Sequence, residues 1–294
     1  MMDSTLRRLA IVALLTAIVL PLGDLWMSLT SYSYAKLHLF ILAPVAFLYL
    51  IPPRPLSMAH PEVRRFAFTM MLIVSLVAIV YCVTGWDRIL YQTGVYTCSN
   101  TFFTLLSIPI EEWVWCVDHT FLAGLWVMSI WQSHPVPQKR RSAHIGFRAV
   151  AALTSLAIAY YGYTFKIQDK SQFYLGLTLQ HIFPVLAIQF VMSGHFYLQC
   201  PRECILGVLG PSIYVIIVDV YAVVKGIWQS SDEFTTGIEP LGIKIEYIVV
   251  YTLTSSLASQ AMVGFIRLGE VYHDLRKRTG ASIIRSAALA LVWG

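Results

Sequence analysis

Glu111 and Glu112 are the side chains in this sequence best placed to do chemistry. They are adjacent, follow Pro109, and stand at the head of an apolar stretch that runs to Trp131. Asp118 and His119 come seven residues later, so Glu111 shares a helix face with Asp118 and Glu112 with His119. Asp87, Asp219 and Glu246 are further acids in or beside apolar runs. An ionisable side chain inside a bilayer is costly, faces the bundle interior as a rule, and usually has work to do there. A carboxyl kept from water is more easily held neutral, and a neutral carboxylic acid in a dry pocket is a proton donor. Its natural acceptor in lipid is an alkene or epoxide of an isoprenoid chain. Protonation leaves a carbocation, which aromatic faces stabilise. Trp86, Tyr91, Tyr96, Trp113, Trp115, Tyr160, Tyr161, Tyr221 and Tyr247 supply such faces near the acids.

Plainer readings stand beside these. Proline at a first helical position and acids in the first turn also suit a helix start. Tryptophan and tyrosine belts are ordinary at membrane interfaces. His181 beside Gln180 reads as an interhelical hydrogen-bonding pair. Depth favours chemistry for Glu111 and Glu112: the run from Phe102 to Ile110 is itself apolar, which sets both acids inside the membrane profile.

The elements that must position these groups are membrane helices. Of 294 residues, 57% are apolar and 13% charged, about half the charged share of a soluble domain. Runs of bilayer length fall at residues 9–30, 34–51, 66–86, 109–131, 149–165, 173–197, 205–228 and 241–266. They predict an all-α polytopic protein of about eight transmembrane helices. The fifth run is short and closely followed by Lys166 and Lys170, so seven spans is the competing count. Basic residues test the orientation independently. One side carries Arg7 and Arg8, the cluster from Arg54 to Arg65, Lys139 to Arg148, Arg202, and five residues from Arg267 onward; the other carries Lys36, Arg88, Lys166 and Lys170. This bias places both termini in the cytoplasm. The Arg7-Arg8 start also resembles a signal peptide, but the run continues without a small-residue cleavage site, so an uncleaved first span is expected. Residues 281–293 are too short to span and read as an interfacial helix or tail.

The chain also resembles itself. Asp87, Gly94 and Tyr96 recur at identical spacing as Asp219, Gly226 and Trp228; residues 106–111 match 241–246; Pro44-Val45 matches Pro184-Val185. The order is kept, so two halves of four spans each are expected, in one orientation and related by an axis along the membrane normal. The expected organisation is a first repeat over 1–132, a basic cytoplasmic connector over 133–148, a second repeat over 149–267 and a cytoplasmic tail over 268–294.

Absences narrow the chemistry. No Asp-Asp-x-x-Asp motif offers to hold magnesium and a diphosphate, and neither a G-x-G-x-x-G nor a Walker sequence occurs. Five cysteines, an odd number mostly in apolar runs, suggest neither a disulfide framework nor a metal site. The formal charge of +5 lies in membrane-flanking clusters rather than in a groove for nucleic acid. Acid chemistry without cofactor or metal is the expectation.

Residues 109–120, Pro-Ile-Glu-Glu-Trp-Val-Trp-Cys-Val-Asp-His-Thr, resemble the Pro-x-Glu-Glu-aromatic stretch of the integral-membrane lycopene cyclases, known as small bacterial heterodimers and as domains of fungal bifunctional carotenoid proteins. Trp86-Asp87 through Tyr96 is similar to that family's aspartate-to-aromatic segment, and Thr235 to Glu239 with Ile245-Glu246 to its second acidic unit. The likeness covers about residues 33–267. It implies proton-initiated cyclisation of an isoprenoid with no net redox change. Departures accompany it: His119 replaces a glutamine, Lys244 a proline and Tyr247 the second glutamate of the later motif. The expected reading is therefore a terpenoid cyclase whose substrate is a hydrophobic isoprenoid or a prenylated, epoxidised meroterpenoid precursor. Glu111 or Glu112 would donate the proton, Glu246 and Asp219 would orient it or balance the cation, and Asp87 would support them. Trp113, Trp115, Asp118, His119, Tyr91 and Tyr247 are the expected substrate-binding residues. A lycopene beta-cyclase proper, a proton-coupled transporter and an inactive scaffold are the alternatives. Membrane lipid and upstream pathway enzymes are the expected partners, with the endoplasmic reticulum as the site in a eukaryote.

Overall fold

The computed structural model describes residues 34–38, 44–45, 61–99, 101–131 and 144–279. Lipid offers no hydrogen bonds, so an apolar run must satisfy its backbone internally and becomes helix. Among the described residues six helices are long and apolar enough to cross a bilayer. The first is α1 (Pro61–Ala78), extended by a π-helical segment (Ile79–Asp87) and α2 (Arg88–Thr93). The others are α3 (Ile110–Ile130), α4 (His144–Gln168), α5 (Phe173–Gln199), α6 (Pro201–Val224) and α7 (Ile245–Thr279). The fifth expected span is thus formed, as α4. The first, 9–30, lies outside the described residues, as do residues 281–293 and the connector up to 143; the second is described only at 34–38 and 44–45.

Three boundaries differ from the expectation for identifiable reasons. Helix α6 stops at Val224 because Gly226, at φ 66°, turns the chain, and Trp228 belongs to a strand. Helix α7 starts at Ile245, after a 3-10 turn over Pro240–Gly242 that ends on Gly242 at φ 76°. It then runs on to Thr279, with Arg267 inside it rather than beyond its end. Apolar content marks where a span lies; glycine and turn chemistry mark where it ends.

Helix α3 is the centre of the bundle. It is the most enclosed of the six and packs against α1, α6 and α7. Gly210 gives α6 room against the Trp126 ring of α3, and the Trp126 indole N–H donates to the Leu206 carbonyl at 2.8 Å. Helix α4 lies outside, in an antiparallel hairpin with α5. Gly162 and Gly176 let the two backbones touch, since a Cβ on either would meet the other's carbonyl oxygen at 2.6–2.8 Å.

Between the helices two short polar elements meet. Strand β1 (Tyr96–Cys98) pairs antiparallel with β4 (Trp228–Ser230), in the register Tyr96 to Ser230 and Cys98 to Trp228. A small hairpin of β2 (Thr104–Leu105) and β3 (Ile108–Pro109) leads into α3. The ribbon of β1 and β4 joins the segment before α3 to the segment before α7.

Candidate active site

The backbone in front of α3 and the backbone in front of α7 are held alike. Gly94, at φ 72°, ends α2 as Gly226 ends α6. Val95 N donates to Leu90 O at 3.0 Å, and Ile227 N to Ala222 O at 2.9 Å. Across the ribbon, Ser99 N donates to Ile227 O at 2.8 Å and Ser231 N to Val95 O at 2.7 Å. At the helix starts, Ile110 N donates to Phe103 O at 3.0 Å, and Ile245 N to Ile238 O at 2.8 Å. Two carboxylates complete the parallel: Glu111 Oε1 accepts from Phe102 N at 2.6 Å, and Glu246 Oε1 from Thr236 N at 2.7 Å. Each second oxygen, Oε2, is buried with no hydrogen-bond partner among the described residues.

Glu111 and Glu246 therefore clamp the loops that precede their helices. Glu112 does something else. It points into a cavity of about 410 Å³ enclosed by α1, the π-helical segment, α3, α5 and α7, and Tyr34 O–H donates to its Oε1 at 2.5 Å. The Cys98 thiol approaches the same oxygen at 3.9 Å and accepts from Tyr91 O–H at 2.6 Å. Asp87, last residue of the π-helical segment, is buried and lies on the cavity wall. Burial pushes the Tyr96 hydroxyl and the Cys98 thiol, both outside the spans, above their ordinary pKa values, and an ionised Glu112 would push them further the same way.

Aromatic rings make much of the remaining wall. Trp115 stands edge-on to Trp228 at 5.9 Å and tilts against Tyr251 at 5.8 Å; Tyr247 packs on Tyr174 at 5.7 Å and on Tyr251 at 6.3 Å. Trp86 and Tyr96 line the cavity as well. Among the expected substrate-binding residues, Trp115, His119 and Tyr247 line the cavity. Tyr91, Trp113 and Asp118 do not. Asp118 sits behind the wall with its Oδ2 2.9 Å from His38 Nδ1, and His119 Nε2 lies 2.8 Å from Ser255 Oγ. Asp219 also backs the wall, where its Oδ1 accepts from Tyr251 O–H at 2.9 Å. Tyr160 and Tyr161 face outward from α4, 70% and 58% exposed, and take no part. His181 bonds its own helix through Leu177 O at 2.9 Å, while Gln180 makes the interhelical bond, from Lys166 at 2.7 Å.

Sequence reading missed Tyr34, His38 and Tyr174. Tyr34 and His38 reach acids 78 and 80 residues away, and nothing local marks them. Among the described residues no group of three histidine, cysteine or acidic side chains could hold a metal.

The chain is similar to the lycopene beta-cyclase of Halobacterium salinarum, at 30% identity over 184 residues, covering 61% of this chain and 75% of that protein. It is also similar to the bifunctional lycopene cyclase/phytoene synthase of Blakeslea trispora, at 24% over 252 residues, covering 82% of this chain and 40% of the relative. The corresponding protein of Podospora anserina is 28% identical over 214 residues, 67% of this chain and 34% of its own length. No family model matches the chain, and no solved structure matches it.

Proposed function

Because the chain belongs to the lycopene cyclase family, we propose that it is a membrane cyclase that uses Glu112 as a general acid on an isoprenoid end group. The observation that carries this reading is the Glu112 carboxyl on the wall of an aromatic-lined, largely apolar cavity, held by the Tyr34 hydroxyl. In the proposed cycle the neutral Glu112 carboxyl gives its proton to the terminal alkene carbon, and a tertiary cation forms. A second double bond attacks it and closes the ring, and the faces of Trp115, Trp228, Tyr174, Tyr247 and Tyr251 stabilise the travelling charge. Loss of one C–H proton to a carboxylate, Glu112 or the facing Asp87, restores a double bond. The product is an isomer of the substrate, so no cofactor is required by the balance.

In this reading Glu111 and Glu246 position the catalytic loops, and Asp219 holds Tyr251 against the cavity. The two sets of loop hydrogen bonds support two repeats of four spans, giving eight in all, with 1–132 and 149–267 as the halves. The basic-residue bias supports cytoplasmic termini, and in a eukaryote we place the protein in the endoplasmic reticulum. A polyene such as lycopene is the first substrate to test, since the relatives are named for it. Tyr247 on the wall, where the resembled motif has a glutamate, favours a second reading, an epoxidised prenyl precursor that needs less acid to open. The fungal relatives' names join a cyclase with a phytoene synthase, and association with an enzyme that supplies the acyclic precursor is proposed on that ground.

The test is purified protein in vesicles given lycopene and, separately, an epoxidised prenyl-aromatic compound. Isomers are resolved by chromatography and NMR, because mass does not change. A cyclic isomer from one of them, lost in Glu112→Gln, is the expected outcome. Turnover unchanged in Glu112→Gln would remove the proposed acid, and uptake driven by a pH gradient without any product would point to a transporter.

A further inference from the structure

Among the described residues the cavity has an opening on the side of the bundle. Val77 of α1 and Ile188 of α5 line it yet are 60% and 58% exposed. A residue that both lines a cavity and lies on the outer surface marks an edge of its mouth. Leu76, Val80, Val191 and Met192 beside them are exposed and apolar as well, on helices of bilayer-spanning length, so the mouth faces acyl chains rather than water. At one end of this slot the Tyr81 hydroxyl, also on the cavity wall, donates to the His181 carbonyl at 2.8 Å and ties the π-helical segment to α5. The π-helical widening begins two residues earlier, at Ile79; such segments are rare and recur at functional sites.

Size points the same way. A volume of 410 Å³ would be about 9 Å across as a sphere, whereas a bilayer's hydrocarbon core is about 30 Å thick. A polyene chain long enough to cross that core cannot be enclosed in such a cavity. We infer that the slot between α1 and α5 is a lateral portal through which one end of an isoprenoid chain enters from the bilayer, while the remainder stays in lipid. Val77 and Ile188 form its sides and the bridge from Tyr81 to His181 its end. This inference rests on the isoprenoid reading of the cavity and adds the route by which that substrate reaches Glu112.

The test measures association and not turnover. Protein in phosphatidylcholine vesicles is mixed with lycopene-loaded vesicles, and quenching of the cavity tryptophans Trp86, Trp115 and Trp228 is followed in time. Narrowing the slot with Val77→Phe and Ile188→Phe together should slow quenching by about tenfold or more. Val224→Phe, at an exposed apolar position that ends α6 and does not line the cavity, should leave the rate unchanged. An unslowed double variant, or equal slowing by Val224→Phe, would overturn the portal. Should the double phenylalanine variant fail to insert, Val77→Ala with Ile188→Ala carries the test: the rate should rise about threefold, and no rise overturns the proposal. The two readings separate cleanly. Binding through the slot without any ring formation would sink the cyclase reading alone; ring formation with slot-independent binding would sink the portal alone.

Discussion

The starts of α3 and α7 hold their preceding loops by the same hydrogen bonds and differ in the side chain that each presents to the cavity. In both, a glutamate accepts an amide from the preceding loop, Glu111 from Phe102 and Glu246 from Thr236. The next residue faces the cavity in both, as Glu112 in one and Tyr247 in the other. One turn therefore delivers an acid and its counterpart an aromatic face. On the proposed reading the difference teaches that the shared geometry is scaffold and that the chemistry sits in the residue following each clamping glutamate. On that reading a cavity with a carboxyl at both starts could protonate from either side; this one has a carboxyl on one wall and an aromatic ring on the other.

Several changes sharpen or break that contrast. Glu112→Gln keeps the shape and removes the acid, and formation of cyclic isomer should fall by about 10³-fold with insertion intact. A fall no greater than that of Tyr247→Phe would erase the distinction between the two starts. Tyr34→Phe removes the hydroxyl that holds Glu112, and a loss of about 10–100-fold in kcat is expected from one hydrogen bond to a carboxyl. Glu111→Ala and Glu246→Ala each strip an amide of its acceptor, and each should lower unfolding stability by about 1.5–3 kcal/mol. Denaturant midpoints should move by similar amounts in the two; a drop in only one would show that the loops are not held alike. Lys244→Met is expected to have the smallest effect. Lys244 pairs with Asp232 at 2.6 Å and with Glu239, but those carboxylates are largely exposed, so the loss should stay below about 1 kcal/mol. Burial alone would lower the lysine's pKa; the two carboxylates outweigh it, and the net direction is upward. A raised pKa in the folded state contributes stability in full below the lysine's ordinary value and loses it as the pH rises from there through the elevated one. The deficit of Lys244→Met should accordingly be equal at pH 6 and pH 8, as thermal melts at the two values would reveal.

Much of this arrangement could be read from residue types. Asp87 with Gly94 and Asp219 with Gly226 recur at one spacing because a helix end, a left-handed glycine and a short strand must follow one another in fixed order. The start of α3 was legible because proline, two acids and an apolar run leave few other conformations. The different jobs of Glu111 and Glu112 were not: adjacent helical residues point about 100° apart, and which of them meets a cavity depends on neighbours far along the chain. Tyr34 is such a neighbour. The ribbon of β1 and β4 was also invisible, since three-residue strands carry no periodic signal, and Trp228 in particular passed for the end of a span. The π-helical segment left no mark either, as its residues are as apolar as the α1 residues before it.

The ribbon has one more implication. Each half of the chain contributes a single strand, and neither strand has another partner among the described residues. Were the polypeptide severed anywhere between residues 131 and 144, either fragment would carry a bare edge whose backbone amides and carbonyls only the other could fill. Co-produced fragments would thus select one another, and a gene broken at that point could still encode a working enzyme assembled from two products.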